Sequence, residues 1–412
     1  ACSGLCARTT APHFNIPRTV PPTSVMKTFP VWVCILAVGA RAAKLGLAKP
    51  FAFEINLDLP VDQRWVEVAT VYKDVFPAMM VAFDDFLNSD TINTSRRKLL
   101  ASNNIPAEYI AELVGIVRAV NHSQVTLDRL LLFQMLYELN YKQASTGILA
   151  VGADGTVFHG RNFDAKLFFI GRGRAMGLED VVLDLTWTRN GTAIFSSVNF
   201  LGQIGVHTGM TFGANAWSIQ QNSRTDKGAK TDAGTLSSNV AAMQEVGASP
   251  HTTYIRRLME SSLIFKDVVL HLERRRLSAP LYLIVAGSGK WEGAVIAADR
   301  AAHAESMNNV QVISQEIGRW FLVQTNDDIW ADPEDWRRPQ GVQLLSDYGQ
   351  QGMGFEAMVT VMRTYPVFSF DTVFSWLAHP ATGQKHLFMP SDSSIQLDGP
   401  ANESLPVHSI IE

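Results

Sequence analysis

Residues Ala144–Asp164 read ASTGILAVGADGTVFHGRNFD. Apolar residues alternate on either side of Ala153-Asp154-Gly155, with Ile148 and Ala150 before it and Val157 after it. Alternation around a tight-turn signal predicts a β-hairpin. The first strand opens with the hydroxylic pair Ser145-Thr146, and the second ends in His159-Gly160-Arg161-Asn162 with Asp164 two residues on. A hairpin brings its outer ends together, so Ser145 is expected beside Arg161 and Asp164. That is a hydroxyl nucleophile next to a cation and a carboxylate, although a surface hairpin closed by an ion pair fits the same pattern.

The motif HGRNxD, preceded by a strand that opens in a nucleophile followed by Thr or Ser, resembles the acid ceramidase and N-acylethanolamine acid amidase family. These are N-terminal-nucleophile hydrolases, related more distantly to choloylglycine hydrolases. In that family a precursor cleaves itself just before a Cys, and the new N-terminal Cys then attacks an amide bond. Counting back from His159, the family's Cys falls on Ser145. Further stretches carry the resemblance: Ile55-Asn-Leu-Asp-Leu-Pro60 with Arg64-Trp65, Leu136-Tyr137-Glu138-Leu139, Gly202-Gln-Ile-Gly205-Val-His-Thr-Gly209, and GRWxxVQTN at 318–326. It extends over roughly residues 51 to 390.

Composition narrows the alternatives. The chain has 412 residues, 47% hydrophobic and 18% charged, enough for one large domain or two. A net charge of −4 gives no electrostatic case for nucleic acid. Gly287-Ser288-Gly289-Lys290 fails as a phosphate loop, because Trp291 stands where Ser or Thr is needed, and Gly171-Arg172-Gly173 lacks a third glycine. The ten histidines show no metal-ligand spacing, so neither metal nor cofactor is expected.

Residues 1–25 are rich in Pro, Thr and Ser without periodicity, and they read as disordered or non-native. Met26-Lys27, the apolar run Phe29 to Ala40 and Ala40-Arg41-Ala42 read as a secretory signal peptide over 26–42, too short to span a bilayer. Cys2, Cys6 and Cys34 all precede that cleavage point, leaving the mature chain without a thiol or a disulfide. Sequons at Asn93, Asn121, Asn190 and Asn402 agree with secretion and N-glycosylation, in a lysosomal or extracellular setting.

The periodicity predicts an extended Phe51–Pro60, then helices over Val61–Leu87, Pro106–Val120 and a deeply buried Thr126–Leu139. Strands dominate after Ser145: a second hairpin at Val181–Thr188 and Thr192–Phe200, then Leu281–Val285, Gly293–Ala298, Trp320–Thr325, and a closing pair Thr372–Ala378 and Lys385–Met389. Helices are expected over Tyr254–Leu277, Gln340–Tyr348 and Phe355–Arg363. The pattern alone supports an α+β fold of two sheets covered by helices. The resemblance implies a four-layer αββα sandwich at 145–412, the catalytic β-subunit, capped by a helical α-subunit at 43–144.

An N-terminal nucleophile needs a base and donors for the oxyanion. A free α-amine, with a pKa of about 7.7–8.0, serves as base near neutral pH. The resemblance implies that Asp164 fixes this amine, Arg161 supplies positive charge, Asn326 forms the oxyanion hole, and Arg337 in Asp335-Trp-Arg337-Arg338 completes the cluster. Read singly, these residues are an ion pair, a turn asparagine and a helix charge. His159 reads as a packing residue. Phe168 and Phe169 read equally as lining an acyl channel or as core. Two departures stand out: Ser145 replaces Cys, and Ser223 in Gln221-Asn222-Ser223-Arg224 replaces the Glu of an N-E-R motif. A serine cannot be held as an anion in acid as a thiol can, which shifts the expected activity toward neutral or alkaline pH. The resemblance implies self-cleavage at Ala144–Ser145 and hydrolysis of ceramide to sphingosine and fatty acid at a lipid surface. N-acylethanolamines are the alternative substrates. An inactive lipid-binding homologue and a precursor trapped by serine also remain open.

Overall fold

Strand β1 (Phe51–Asn56) opens the structure, a computed structural model that describes residues 50–390 apart from 102–103, 140–142, 225–231, 245–249, 276, 301–308 and 334. These fall within one unit, Leu45–Glu412. Residues 1–25, read above as disordered or non-native, residues 26–42, read as a signal peptide, and the sequon at Asn402 lie outside the described residues. After β1 the expected single helix Val61–Leu87 is broken into a 3-10 turn at Val61–Gln63 and helices Val66–Val71, Phe76–Ala82 and Asp84–Leu87. Pro77 stands in the first turn of Phe76–Ala82, where it is tolerated but offers no N–H to extend the preceding helix. Helix Asp90–Ala101, which the periodicity did not single out, is followed by Ala107–Val120, ended as expected by Asn121 in the left-handed region (φ 50°).

The expected helix Thr126–Leu139 ends early, at Leu127–Phe133. Gln134 is the reason: its side chain donates to the Gly202 carbonyl at 2.8 Å and accepts from the Ile204 N–H at 2.9 Å. Those tertiary bonds draw residues 134–139 out of the helix while keeping them buried, as the dense apolar pattern predicts.

The decisive hairpin is β2 (Gln143–Val151) and β3 (Val157–Ala165), turned at Gly155 (φ +88°). Then come a small hairpin, β4 (Phe168–Gly171) and β5 (Arg174–Gly177), and the meander β6 (Val182–Arg189), β7 (Thr192–Phe200), β8 (Thr208–Thr211) and β9 (Trp217–Ser223). Helices Asp232–Met243, His251–Met259 and Phe265–Arg274 lead to β10 (Leu281–Gly287), β11 (Gly293–Ala298), β12 (Asn309–Val312) and β13 (Phe321–Gln324). Helices Arg337–Gly352 and Phe355–Arg363 precede β14 (Thr372–His379) and β15 (Gln384–Phe388).

Two large sheets result: β1-β6-β7-β8-β9-β10-β11-β12 and β13-β2-β3-β14-β15. They face each other through Leu149, Val151 and Val157 on one side and Tyr282, Ile284 and Ala286 on the other. The approach is close at Gly147, where a Cβ would lie 2.5 Å from Gln220 Nε2. Helices Arg337–Gly352 and Phe355–Arg363 cover the smaller sheet over Ile148, Ala150, Val323 and Leu377. Helix Phe265–Arg274 packs on β10 and β11 of the larger one. This is the αββα layering the resemblance implied.

The N-terminal segment is more than a helical cap, because β1 joins the large sheet in parallel with β6, Phe51 opposite Leu183 and Asn56 opposite Thr188. A buried charge cluster fixes the same segment. Arg256, fully buried on helix His251–Met259, grips Glu112 with two hydrogen bonds of 2.6 and 2.7 Å. Arg64 and Trp65 donate to the same carboxylate at 2.9 and 2.8 Å. The Arg256 guanidinium stacks on Tyr109 and Trp187, 4.0 and 4.4 Å from their ring centres. Burial pushes the Glu112 carboxyl up, but the attraction of Arg256 and the donated hydrogen bonds outweigh it and hold the pKa below the ordinary value. Removing one partner of such a pair leaves the other charge buried and unpaired. Glu112→Ala is therefore expected to cost about 3–5 kcal/mol, read as a lowered urea midpoint at unchanged slope; a midpoint equal to wild type would contradict it.

Candidate active site

In the β2–β3 register Ser145 lies opposite Phe163, Gly147 opposite Arg161 and Ala144 opposite Asp164. Residues directly opposite share a face of the sheet and successive ones alternate. Ser145 and Arg161 thus face the larger sheet, whereas Asp164 is on the face of the helix Arg337–Gly352. The absence of a side chain at Gly147 leaves room for Gln220 alongside the guanidinium.

Ser145 is 1% exposed and held at three points. Its N–H donates to Asn326 Oδ1 at 2.9 Å, its carbonyl accepts from Arg337 Nη1 at 2.9 Å, and its Oγ lies 3.4 Å from Arg161 Nη2. Asn326 Oδ1 also accepts from Arg337 Nη2 at 3.2 Å, and its Nδ2 donates to the Ser223 carbonyl at 2.9 Å. Two donors on one side and a carbonyl on the other fix which way the amide points. Asp335 brackets Arg337 at 2.7 and 2.9 Å. The neighbouring Arg338 turns away to Asp327 and the Asp328 carbonyl, so Arg337 is the arginine that reaches Ser145.

The structure thus brings Ser145, Arg161, Asp164, Asn326 and Arg337 together, with one change of geometry. The bonds of Asp164 run to Thr372 Oγ1 at 2.6 Å and Arg337 Nη1 at 3.5 Å, so it meets Ser145 by way of Arg337. Burial raises the Asp164 pKa, opposed by the Thr372 hydroxyl and the Arg337 charge. Arg161, fully buried, donates to the carbonyls of His207 (2.6 Å) and Gln221 (3.0 Å), to Thr208 Oγ1 (2.5 Å) and to Tyr137 Oη (3.1 Å). Its guanidinium lies over Phe163, 5.0 Å from the ring centre. Burial among neutral acceptors lowers its pKa. His207 Nδ1 faces that cation at 3.2 Å, and burial together with the positive charge keeps the ring neutral.

His159 behaves as a packing residue: it bridges Ser218 and Gln220 across the two sheets, and burial pushes its pKa down to about 3. Phe168 and Phe169 point to opposite sides of the small hairpin, 56% and 8% exposed, so they do not line one wall together. Ser223 supplies a carbonyl to Asn326 but no carboxylate. Among the described residues no cluster of three His, Cys, Asp or Glu is placed to hold a metal.

Three contacts escaped the sequence reading: Thr372 on Asp164, Tyr137 on Arg161, and the buried pair Glu138 and His251. None has a local signal, since each joins residues more than twenty positions apart; only the position of Tyr137-Glu138 just ahead of Ser145 pointed that way.

A family model described as "beta subunit of N-acylethanolamine-hydrolyzing acid amidase" matches residues 49–91. That span lies in the segment assigned above to an α-subunit, so the two labels differ. The N-acylethanolamine-hydrolyzing acid amidase of Caenorhabditis elegans is 27% identical over 343 residues, covering 81% of this chain and 90% of that protein. Acid ceramidase of Homo sapiens is 28% identical over 355 residues, covering 82% and 85%. A solved structure of the Caenorhabditis elegans N-acylethanolamine-hydrolyzing acid amidase ortholog is 30% identical, covering 57% of this chain and 93% of its own, with a TM-score of 0.49.

Glu138 gives the region a pH dependence that can be measured. Its Oε1 accepts from the His251 N–H at 2.6 Å, while Oε2 has no partner. Burial pushes its pKa from 4.5 up to about 7, and pushes His251 down to about 3. An acid raised by folding contributes stability that is whole below its unfolded pKa and is lost as pH rises through the folded one. His251 acts in the opposite sense, losing stability as pH falls below 6.5, so the mutant must be compared with wild type at each pH. Glu138→Gln is expected to match wild type near pH 4.5 and to gain about 3 kcal/mol on it by pH 8. Parallel stability curves from pH 4.5 to 8 would rule this out.

Proposed function

We propose that this chain, which belongs to the family of the acid ceramidases and N-acylethanolamine-hydrolyzing acid amidases, cleaves itself at Ala144–Ser145 and then hydrolyses the amide bond of N-acyl lipids. One observation carries the reading: a buried serine whose N–H, carbonyl and hydroxyl are each held by a different member of one polar cluster. In self-cleavage Ser145 Oγ attacks the Ala144 carbonyl carbon. The C–N bond breaks as the acyl group moves to oxygen, and water hydrolyses the resulting ester, releasing the carboxylate of residue 144 and the amine of Ser145.

That amine remains where Asn326 Oδ1 holds the Ser145 nitrogen. With one N–H donated there, its lone pair is available to take the proton of its own hydroxyl. Oγ then attacks the substrate amide, the lipid amine departs with a proton, and water releases the fatty acid from the acyl-serine. Arg161 places positive charge beside Oγ, where an anion develops in the transition state. Asp164 and Asp335 aim Arg337, and the second N–H of Asn326 Nδ2, the one not given to the Ser223 carbonyl, is the amide donor for the oxyanion. The half-buried region around Phe168 and Phe169 offers apolar surface for an acyl chain, with Phe169 on the inner side.

Ceramide is the substrate favoured by the I-N-L-D-L-P and Y-E-L stretches, and an N-acylethanolamine is the alternative. Secretory or lysosomal delivery is supported by the signal-like segment at 26–42 and by three exposed sequon asparagines, Asn93, Asn121 and Asn190. One observation favours a non-catalytic lipid-binding role instead: neither a thiol nor a carboxylate stands at 145 and 223, where the family has both.

Intact mass and N-terminal sequence of protein expressed through the secretory pathway test the reading. A second chain beginning Ser145-Thr-Gly-Ile, absent in Ser145→Ala, is the expected result. A single chain inert toward ceramide and N-acylethanolamine would favour the lipid-binding role. If the chain is active, its pH–rate profile is expected to peak near or above neutrality, where the amine is unprotonated, and Ser145→Cys to extend activity into acid. A wild-type optimum below pH 5 would overturn the amine-as-base mechanism.

A further inference from the structure

Arg161 Nη2 has two N–H groups and three acceptors in reach. The Gln221 carbonyl, at 3.0 Å, takes one. The other falls between Tyr137 Oη at 3.1 Å and Ser145 Oγ at 3.4 Å, with the phenol the nearer. Tyr137 lies eight residues before Ser145 in the chain, on the other side of the bond to be cut. What anchors it is non-covalent and runs to residues beyond that bond. Gln134 is tied to Gly202 and Ile204, the Glu138 side chain accepts from the His251 N–H, and the Glu138 carbonyl accepts from Asn239 Nδ2 at 2.8 Å.

We propose that Tyr137 is a positioning residue for the nucleophile, supplied by the N-terminal fragment: its hydroxyl oxygen shares an Arg161 N–H with Ser145 Oγ and so sets how much of that charge the nucleophile receives. The proposal rests on Ser145 being the nucleophile. Because residues 134–139 are held by backbone groups of Gly202, Ile204 and His251 and by the Asn239 side chain, Tyr137 stays in place after cleavage, and the mature site is built by both fragments. Removing the phenol oxygen gives the N–H wholly to position 145 and strengthens its stabilisation of an anion there.

The test uses the full chain carrying Ser145→Cys, whose thiolate is followed by ultraviolet absorbance against the unaltered serine protein; Cys2, Cys6 and Cys34 are common to both and cancel. Tyr137→Phe in this background is expected to lower the pH of thiolate formation by about one unit. The other charged or titratable groups around position 145 are the same with and without the phenol oxygen: Arg161 and Asp164 from β3, Arg337 and Asp335 from the helix start, His207 from the β7–β8 connection, and Glu138 beside Tyr137. Tyr109→Phe is the control, a buried phenol on Glu260 remote from Ser145, expected to affect stability but not the titration.

In the serine protein, Tyr137→Phe is expected to change kcat several-fold while KM stays within twofold. An unmoved or raised thiolate midpoint overturns the proposal, whatever the activity. A lowered midpoint in a protein that neither cuts itself nor hydrolyses amides upholds the positioning role and refutes the proposed function alone.

Discussion

Arg161 is a cation at the centre of the molecule with no carboxylate among its hydrogen-bond partners. A buried charge without a counter-ion is expensive unless donors and surroundings are satisfied by other means. Here two carbonyls and two hydroxyls take up the Nη donors, the faces of Phe163 and Phe374 lie against the guanidinium, and Nε alone is left without a partner; these groups come from β3, β9, β14, the β7–β8 region and the segment ahead of Ser145. The guanidinium therefore fixes how the two sheets and the N-terminal segment meet. The same lack of a counter-ion leaves a positive field beside Ser145 Oγ.

A second, separate charge cluster performs a different task. Glu112, Arg64 and Trp65 before Ser145 and Arg256 after it are joined in the interior, far along the chain from Ser145. The sequence holds no cysteine after Cys34, so a chain cut at Ser145 has no disulfide to keep its halves together. Ion pairs and apolar packing must do this alone. The polar cluster around Ser145 is thus held by one set of contacts and the N-terminal segment by another, which leaves position 145 free to vary chemically without loosening the fold.

The hairpin, its turn and the five polar residues were legible because each rests on a local pattern or an intact motif. Arg337 is instructive: Asp335 pins the side chain so that it reaches the Ser145 carbonyl. The helix breaks at Pro77 and Gln134 were not read, the first because apolar periodicity outlasts a proline, the second because Gln134 bonds to residues nearly seventy positions away. Register explains the remaining error. Asp164 sits one position beyond the residue facing Ser145, so alternation turns it to the opposite face and leaves Arg337 to connect the two.

The parallel pairing of β1 with β6 has a consequence for a chain that lost its N-terminal segment. Without β1, the strand Val182–Arg189 would end the remaining seven-stranded sheet as a bare edge, with unpaired N–H and C=O groups and apolar residues of its own including Leu183 and Leu185. Such an edge is a template for the strands of other molecules. The fragment ahead of Ser145 therefore guards solubility as well as the site, and a molecule that shed it would be set on a course toward aggregation before its chemistry was ever tested.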